Sequence, residues 1–216
     1  MGTRIPLSEG ARLRVLSVSA RIEVEAEDVR EIEIEPADHR IDVSDDERVA
    51  ETRTRSTNLK IIVPEGTNVS VGTVSGHVSL KGRFGTVKVS TVSAHIEVDE
   101  ADGDVDIRSI SGHLEVGRCS GRCRANTKSG RIEIGWVGQE ARAQTMSGNI
   151  EVGTAGQGDV KLRTISGRIE IAVDPGRHPS VRMKTLSGKT ENELPPGDDF
   201  RIKARTISGS IRIEEG

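Results

Sequence analysis

Eight copies of one short signature recur along this chain at nearly constant spacing, and that recurrence constrains the fold more than any other feature. The signature is Thr-x-Ser-Gly followed by x-apolar-x-apolar. It reads Thr73-Val74-Ser75-Gly76, Thr91-Val92-Ser93-Ala94, Ser109-Ile110-Ser111-Gly112 and Thr127-Lys128-Ser129-Gly130. It continues as Thr145-Met146-Ser147-Gly148, Thr164-Ile165-Ser166-Gly167, Thr185-Leu186-Ser187-Gly188 and Thr206-Ile207-Ser208-Gly209. From serine to serine the spacings are 18, 18, 18, 18, 19, 21 and 21 residues. Weaker copies stand at Ser17-Val18-Ser19-Ala20 and Thr54-Arg55-Ser56-Thr57, and a degenerate one at Ala37-Asp38 precedes Ile41-Asp42-Val43. Together they make eleven units.

Each unit holds two runs of strict alternation, one before the signature (Val87-Lys88-Val89, Val160-Lys161-Leu162) and one after it (Ile96-Glu97-Val98, Ile132-Glu133-Ile134). Period-two alternation rich in β-branched residues predicts half-buried strands. The best helical rival, Asp45 to Glu51, is short and runs into the repeat. Two strands per 18-residue unit leave no room for a helical crossover, so each unit is expected to form one coil of a parallel β-solenoid. Eleven coils spaced ~4.8 Å apart would make a rod of roughly 50 Å. We expect a single, right-handed β-solenoid domain over 1–216, degenerate over 11–63 and regular over 67–216. The insertions Val63-Pro64-Glu65-Gly66, Asp174-Pro175-Gly176 and Pro195-Pro196-Gly197 all fall in the link between one unit and the next, where a repeat array tolerates them.

Composition agrees. Only Trp136, Phe84 and Phe200 are aromatic and there is no Tyr, so the core must be a narrow one of Val, Ile and Leu. Charged residues are 30% and the hydrophobic set 33%, with no run approaching the ~18 apolar residues of a membrane span. The opening Met1-Gly2-Thr3-Arg4-Ile5-Pro6 lacks an apolar signal core, which predicts a cytoplasmic chain, at most peripheral to a membrane. Net charge is -3, so no global field favours nucleic acid.

The repeated Thr-x-Ser-Gly-x-Ile-x-Val units, with the Val63-Pro64-Glu65-Gly66 link ahead of Val69-Ser70-Val71, resemble the bacterial toast-rack or "putative adhesin" β-strand-repeat domains. The likeness runs from about Val15 to Glu214. It implies a non-catalytic domain of unknown function, often tied to envelope-stress systems and often fused to membrane segments. It brings no catalytic residues.

Alternation also assigns faces. Val87 and Val89 point inward, and two parities are open at the signature. Either Thr and Ser continue inward and the middle position forms an exposed apolar stripe, or the middle position is buried and the hydroxyls face out. Lys128 in the middle column favours the first, because a buried unpaired ammonium is costly. The first-strand outward positions are basic, with Lys88, Arg108, Arg124, Arg142, Lys161, Arg163, Arg182, Lys184, Lys203 and Arg205 against the single acid Asp106. They are the expected binding residues for an anionic polymer, a membrane surface or a protein partner. No aromatics interleave with them, which argues against single-stranded nucleic acid.

After the signature, His77, His95 and His113 stack one per coil and are the metal candidate, with no carboxylate or Cys obviously completing a site; surface histidines at a polar column are the competing account. Cys119 and Cys123 read as small core residues, and Trp136 as a cover for apolar surface. Neither a catalytic set nor a cofactor motif stands out. Polysaccharide lyases have longer coils with carboxylates in side loops, and hexapeptide acyltransferases repeat every six residues. Ice binding would need the outward Thr-x-Ser parity on a flat uncharged face. The reading is therefore a rigid, non-enzymatic binding or assembly module. Its rivals are a bactofilin-like polymerising scaffold and, further off, a β-helix that binds or acts on polysaccharide. Unpaired strand edges at the ends invite association, and Ser208 to Gly216 is the expected C-terminal edge for weak homo-association.

Overall fold

In a computed structural model that describes residues 3–8, 10–36, 39–44, 48–155 and 158–216, every regular element is a β-strand. Twenty-one strands form one sheet wound upon itself. They are β1 (Thr3–Pro6), β2 (Arg12–Ser17), β3 (Ser19–Glu27), β4 (Glu31–Glu35), β5 (Ile41–Val43), β6 (Val49–Thr54) and β7 (Leu59–Pro64). The long β8 (Asn68–Phe84) and β9 (Val87–Ala101) each pass through a corner without a break. Then come β10 (Val105–Arg108), β11 (Leu114–Cys119), β12 (Arg122–Asn126), β13 (Ile132–Val137), β14 (Glu140–Gln144) and β15 (Ile150–Ala155). The last six are β16 (Val160–Arg163), β17 (Ile169–Val173), β18 (Ser180–Lys184), β19 (Thr190–Asn192), β20 (Arg201–Arg205) and β21 (Ile211–Glu215).

Pairing within the repeat is parallel and in register. Val87, Val105, Cys123, Ala141 and Val160 stack in one column, and Ile96, Leu114, Ile132, Ile150 and Ile169 in another. Both columns are buried. In the middle coils the first strand supplies small side chains (Cys123, Ala125, Ala141, Ala143) and the second supplies Ile132, Ile134, Ile150 and Val152. Small faces large across a narrow gap, and so dense packing needs few rings.

The coils do not stack in the order of the sequence. At the C-terminal end β20 lies between β16 and β18, and β21 between β17 and β19. The last coil is therefore threaded inside the one before it. At the N-terminal end β2 likewise lies between β6 and β8, and β3 between β7 and β8. Burial explains the inversion. The coil 201–215 offers Ile202, Ala204, Ile211 and Ile213, all buried. The coil 180–192 offers Thr190 and Asn192 opposite Ile211 and Ile213, and both are exposed. A terminal coil needs a polar outer face, so the polar coil goes outside and the apolar one is enclosed. The links carrying Asp174-Pro175-Gly176 and Pro195-Pro196-Gly197 are the two that must step over a coil position and return.

Ten parallel coils result, spanning about 43 Å at ~4.8 Å each. The expected eleventh is absent among the described residues. Ile41–Val43 is β5, paired antiparallel with β6, while Ala37-Asp38 lies outside the described residues. Asp45 to Glu47 of the helical rival also lie outside them, and Val49 to Glu51 belong to β6. At the N-terminal end β4 pairs antiparallel with β7, and β1 with β4, burying Ile32 and Ile34 over the end of the core. The expected C-terminal edge is corrected accordingly. Ser208 and Ile211 to Ile213 are paired on both sides, Glu214 and Glu215 on one, and the open edge belongs chiefly to β18 and β19.

Candidate functional site

The signature corner builds the surface of interest. Thr73, Thr91, Thr127, Thr145, Thr164 and Thr206 are buried, as the inward parity expects. Except at Thr145, whose buried hydroxyl has no partner, the hydroxyls donate within the corner, to the Ser carbonyl two residues on (Thr73 to Ser75, 2.9 Å; Thr127 to Ser129, 3.2 Å) or to the neighbouring coil (Thr91 to Val74, 3.4 Å). The serines do not follow them inward. From Gly112 onward the glycine after each serine turns the chain at positive φ, +141° to +152°, so the serine sits on the outside of the bend, its strand pairing reduced to isolated bridges with the serines above and below. The inward expectation therefore holds for Thr and fails for Ser, because alternation stops where the strand bends.

Between them the middle column is exposed, as that parity predicts. In spatial order it runs Val18, Val74, Val92, Ile110, Lys128, Met146, Ile165, Ile207 and Leu186, its apolar members 42–80% accessible. The backbone amides tie this row together, Lys128 to Ile110 at 3.2 Å, Met146 to Lys128 at 3.2 Å, Ile207 to Ile165 at 3.2 Å and Leu186 to Ile207 at 3.3 Å. Nine positions at ~4.8 Å give an apolar ridge of roughly 40 Å with one charge in it.

All ten expected basic residues lie on the first-strand face, in two adjacent columns. Lys88, Asp106, Arg124, Arg142, Lys161, Lys203 and Arg182 form the outer column. Ser90, Arg108, Asn126, Gln144, Arg163, Arg205 and Lys184 form the one beside the ridge. The coil inversion slots Lys203 and Arg205 between Lys161/Arg163 and Arg182/Lys184 without breaking either column.

Not all of these cations are free. Arg108 pairs with Asp106 at 2.9 Å, and Arg142 and Lys161 share Glu140 at 2.8 and 2.9 Å. Glu140, at the start of β14, corrects the expectation of a single acid on this face. The hydrogen bond from Lys161, helped by that from Arg142, holds its carboxyl below the ordinary range. Asp104 is held down likewise by Arg122. Arg163, Arg182, Lys184, Lys203 and Arg205 make no ion pair among the described residues, and they are contiguous over the last three coils. There the corner opens into a groove of about 520 Å³. Arg163, Lys184 and Arg205 line one side, Met146, Ile165, Ile207 and Leu186 the other, with Thr127, Thr145, Thr164 and Thr206 also lining it.

The second-strand face behaves differently. Most of its cations are taken up by the glutamate column: Arg131 by Glu133 and Glu151, Arg168 by Glu170, Arg212 by Glu191. Lys81 bonds Glu23 in the same manner. His77, His95 and His113 stack with ring centroids 5.1 and 4.9 Å apart. Carboxylates do reach them, contrary to the reading of the sequence. Glu97 lies 2.7 Å from His95 Nε2 and 3.8 Å from His77 Nε2, and His113 lies 3.7 and 3.8 Å from Glu115 and Glu133. The pattern was present in the repeat, since Glu97 follows His95 by two and so shares its face. Partial burial lowers the His77 pKa, and the bond with His95 lowers that of Glu97.

Cys123 and Cys119 are buried free thiols in the small-residue columns expected of them. The hydrogen bond with Cys119, together with burial, holds Cys123 well above the ordinary thiol range. Trp136 carries the Arg118 guanidinium 4.0 Å above its ring, so one face of the indole is already covered.

A family model described as Toastrack DUF4097 matches residues 19–215. No curated protein matches the chain. Among solved structures, a "putative cell adhesion protein" from Clostridium sporogenes is 8% identical, covering 100% of this chain and 99% of its own, with a TM-score of 0.29. A "putative adhesin" from Parabacteroides merdae is 11% identical, covering 97% and 95%, with a TM-score of 0.31. At such TM-scores neither likeness carries an argument. No helix among the described residues is long and apolar enough to cross a membrane.

Proposed function

The chain belongs to the Toastrack DUF4097 family, and from that membership and the corner surface we propose that it is a non-enzymatic binding module that docks on anionic lipid headgroups. One observation carries this reading: along the same three coils, three unpaired cations (Arg163, Arg205, Lys184) lie beside an exposed aliphatic ridge and two more (Lys203, Arg182) stand in the column behind them. A cation near an anionic bilayer contributes about 1 kcal/mol. Five give on the order of 5 kcal/mol, which alone is only submillimolar binding. An apolar ridge that enters the headgroup boundary supplies the remainder, and amphipathic surface segments bind by the same pairing of forces. The groove is walled by cations and aliphatic side chains, which suits holding a ligand rather than making or breaking bonds. Adsorption to a bilayer also suits the envelope-stress setting that the family resemblance implies.

A polymerising scaffold is less well supported. Parallel coils continue into another copy only where both ends present a parallel edge, and the N-terminal end presents the antiparallel β1, β4 and β5.

Co-sedimentation with phosphatidylglycerol vesicles tests the reading. Wild type should bind at low salt and weaken at physiological salt, as exposed charges are screened over ~8–10 Å, and it should ignore phosphatidylcholine. Reversing Arg163, Lys184 and Arg205 to Glu should cost more than tenfold in affinity. Reversing Arg131 and Arg168, already paired, should cost less than threefold. Binding indifferent to lipid charge, or equally weakened by both sets, would overturn the proposal.

A further inference from the structure

We propose that His77, His95 and Glu97 form a surface site for a divalent transition-metal cation of the zinc class, independent of the lipid-docking face. The parallel register places His77 of β8 directly against His95 of β9. Their rings lie nearly parallel, 15° apart in plane. Glu97 projects from the same face as His95, and its carboxylate spans both imidazoles, Oε1 to His95 and Oε2 to His77. One ligand atom from each of the three residues lies within 4.8 Å of the others.

The site exists because two columns are interrupted at the same place. Along the column after the signature, Arg21, Arg131, Arg168 and Lys189 are cations and Asn58, Asn149 and Ser210 are neutral, while imidazoles stand together at His77, His95 and His113. One step along, the glutamate column carries Ser79 in place of Glu on β8, and Ser79 is 5% exposed. His77 therefore has no carboxylate of its own and shares Glu97 with His95. Where arginine occupies the column instead, its guanidinium takes up the neighbouring carboxylates, as Arg131 does with Glu133 and Glu151.

Two imidazoles and one carboxylate suit zinc-type ions, which bind nitrogen at ~2.0–2.1 Å and carboxylate oxygen at ~2.0–2.2 Å in a tetrahedron, with water in a fourth, open position. Those bond lengths require ligand atoms roughly 3.4 Å apart. The present 2.7 and 3.8 Å separations from Glu97 straddle that value. Side-chain rotations of partly exposed groups can bring the set together. Magnesium and calcium prefer all-oxygen shells and fit poorly. The neighbouring His113, Glu115 and Glu133 offer one imidazole and two carboxylates, a weaker set for zinc.

Isothermal titration of the full chain with zinc chloride, in a non-chelating buffer, tests the assignment. One ion should bind per chain, and magnesium and calcium should give no heat. His77→Ala, His95→Ala and Glu97→Gln should each weaken binding at least tenfold, while His113→Ala changes it less than threefold. Since all four side chains are partly exposed, the metal-free melting temperature of each variant should match wild type, which separates lost ligation from lost fold. No zinc binding in the micromolar range overturns the proposal. So does a His113→Ala loss as large as that of His95→Ala.

Discussion

At the scale of single residues, the corner glycines decide whether the coils can stack at all. A Cβ built on Gly130 would lie 1.8 Å from the Gly112 carbonyl oxygen, and the backbone there sits at φ +142°. Neither the strain nor the clash can be relieved by a side-chain rotation, since the obstacle is the backbone of the coil above. Gly130→Ala should therefore lower stability by at least about 2 kcal/mol in urea denaturation. Gly66 also has positive φ, +74°, but nothing within 4 Å of its would-be Cβ, and Gly66→Ala should cost only about 1 kcal/mol. Equal losses at the two positions would show that the coils are not packed this closely. Residue identities also set the limits of what could be read in advance. Lys128 in the middle column was enough to choose the exposed parity for the ridge. The outward turn of Ser129 was not readable, because alternation describes straight strands and the glycine that follows ends the straight segment.

At the scale of strands and coils, chain order and spatial order part company at both ends. Coil 201–215 is enclosed although it ends the chain, and coil 180–192 is outermost. Termini usually fray first, so hydrogen exchange separates the two descriptions cleanly. Amides of residues 202–213 should be more protected than those of 181–192, opening closer to the global unfolding free energy. Exchange that proceeds inward from Gly216 would place the last coil at the edge instead. Much of this level was legible: strands, coil period and column register follow from the signature spacing. The inversion left a trace too, in the two 21-residue spacings and their Pro-Gly links. Length alone, however, cannot separate a link that skips a coil from one that merely loops out. The deciding clue was in the same alignment of units: Thr190 and Asn192 stand where the other units carry apolar core residues, which marks coil 180–192 as the one suited to the outside. Ile41-Asp42-Val43 shows the converse, a strand whose alternation is right and whose direction is reversed.

At the scale of the whole molecule, a net charge of -3 conceals a strongly divided surface. One face pairs most of its cations with glutamates of the same or the next coil. The other leaves seven of its ten without an ion pair among the described residues, Lys88 and Arg124 singly and five together on the last three coils, where the aliphatic ridge runs alongside. The basic columns were legible because the first-strand outward position is fixed by alternation. The cluster of five unpaired cations on the last three coils was not, since it depends on Glu140 reaching Arg142 and Lys161 and on the inverted coil bringing Lys203 and Arg205 alongside Arg163. Bilayer docking of that corner makes a demand no other surface meets: the ridge must enter the lipid while the opposite end of the second strand stays in water. The native chain has a single tryptophan, Trp136, at that far end under Arg118. The most direct measurement is fluorescence quenching by brominated lipids in phosphatidylglycerol vesicles, comparing wild type with Leu186→Trp in a Trp136→Phe background. The indole introduced on the ridge should be blue-shifted and strongly quenched, and that of wild type should be unaffected. Quenching of Trp136 equal to or greater than that on the ridge, or quenching of neither in vesicles that bind the protein, would contradict the account.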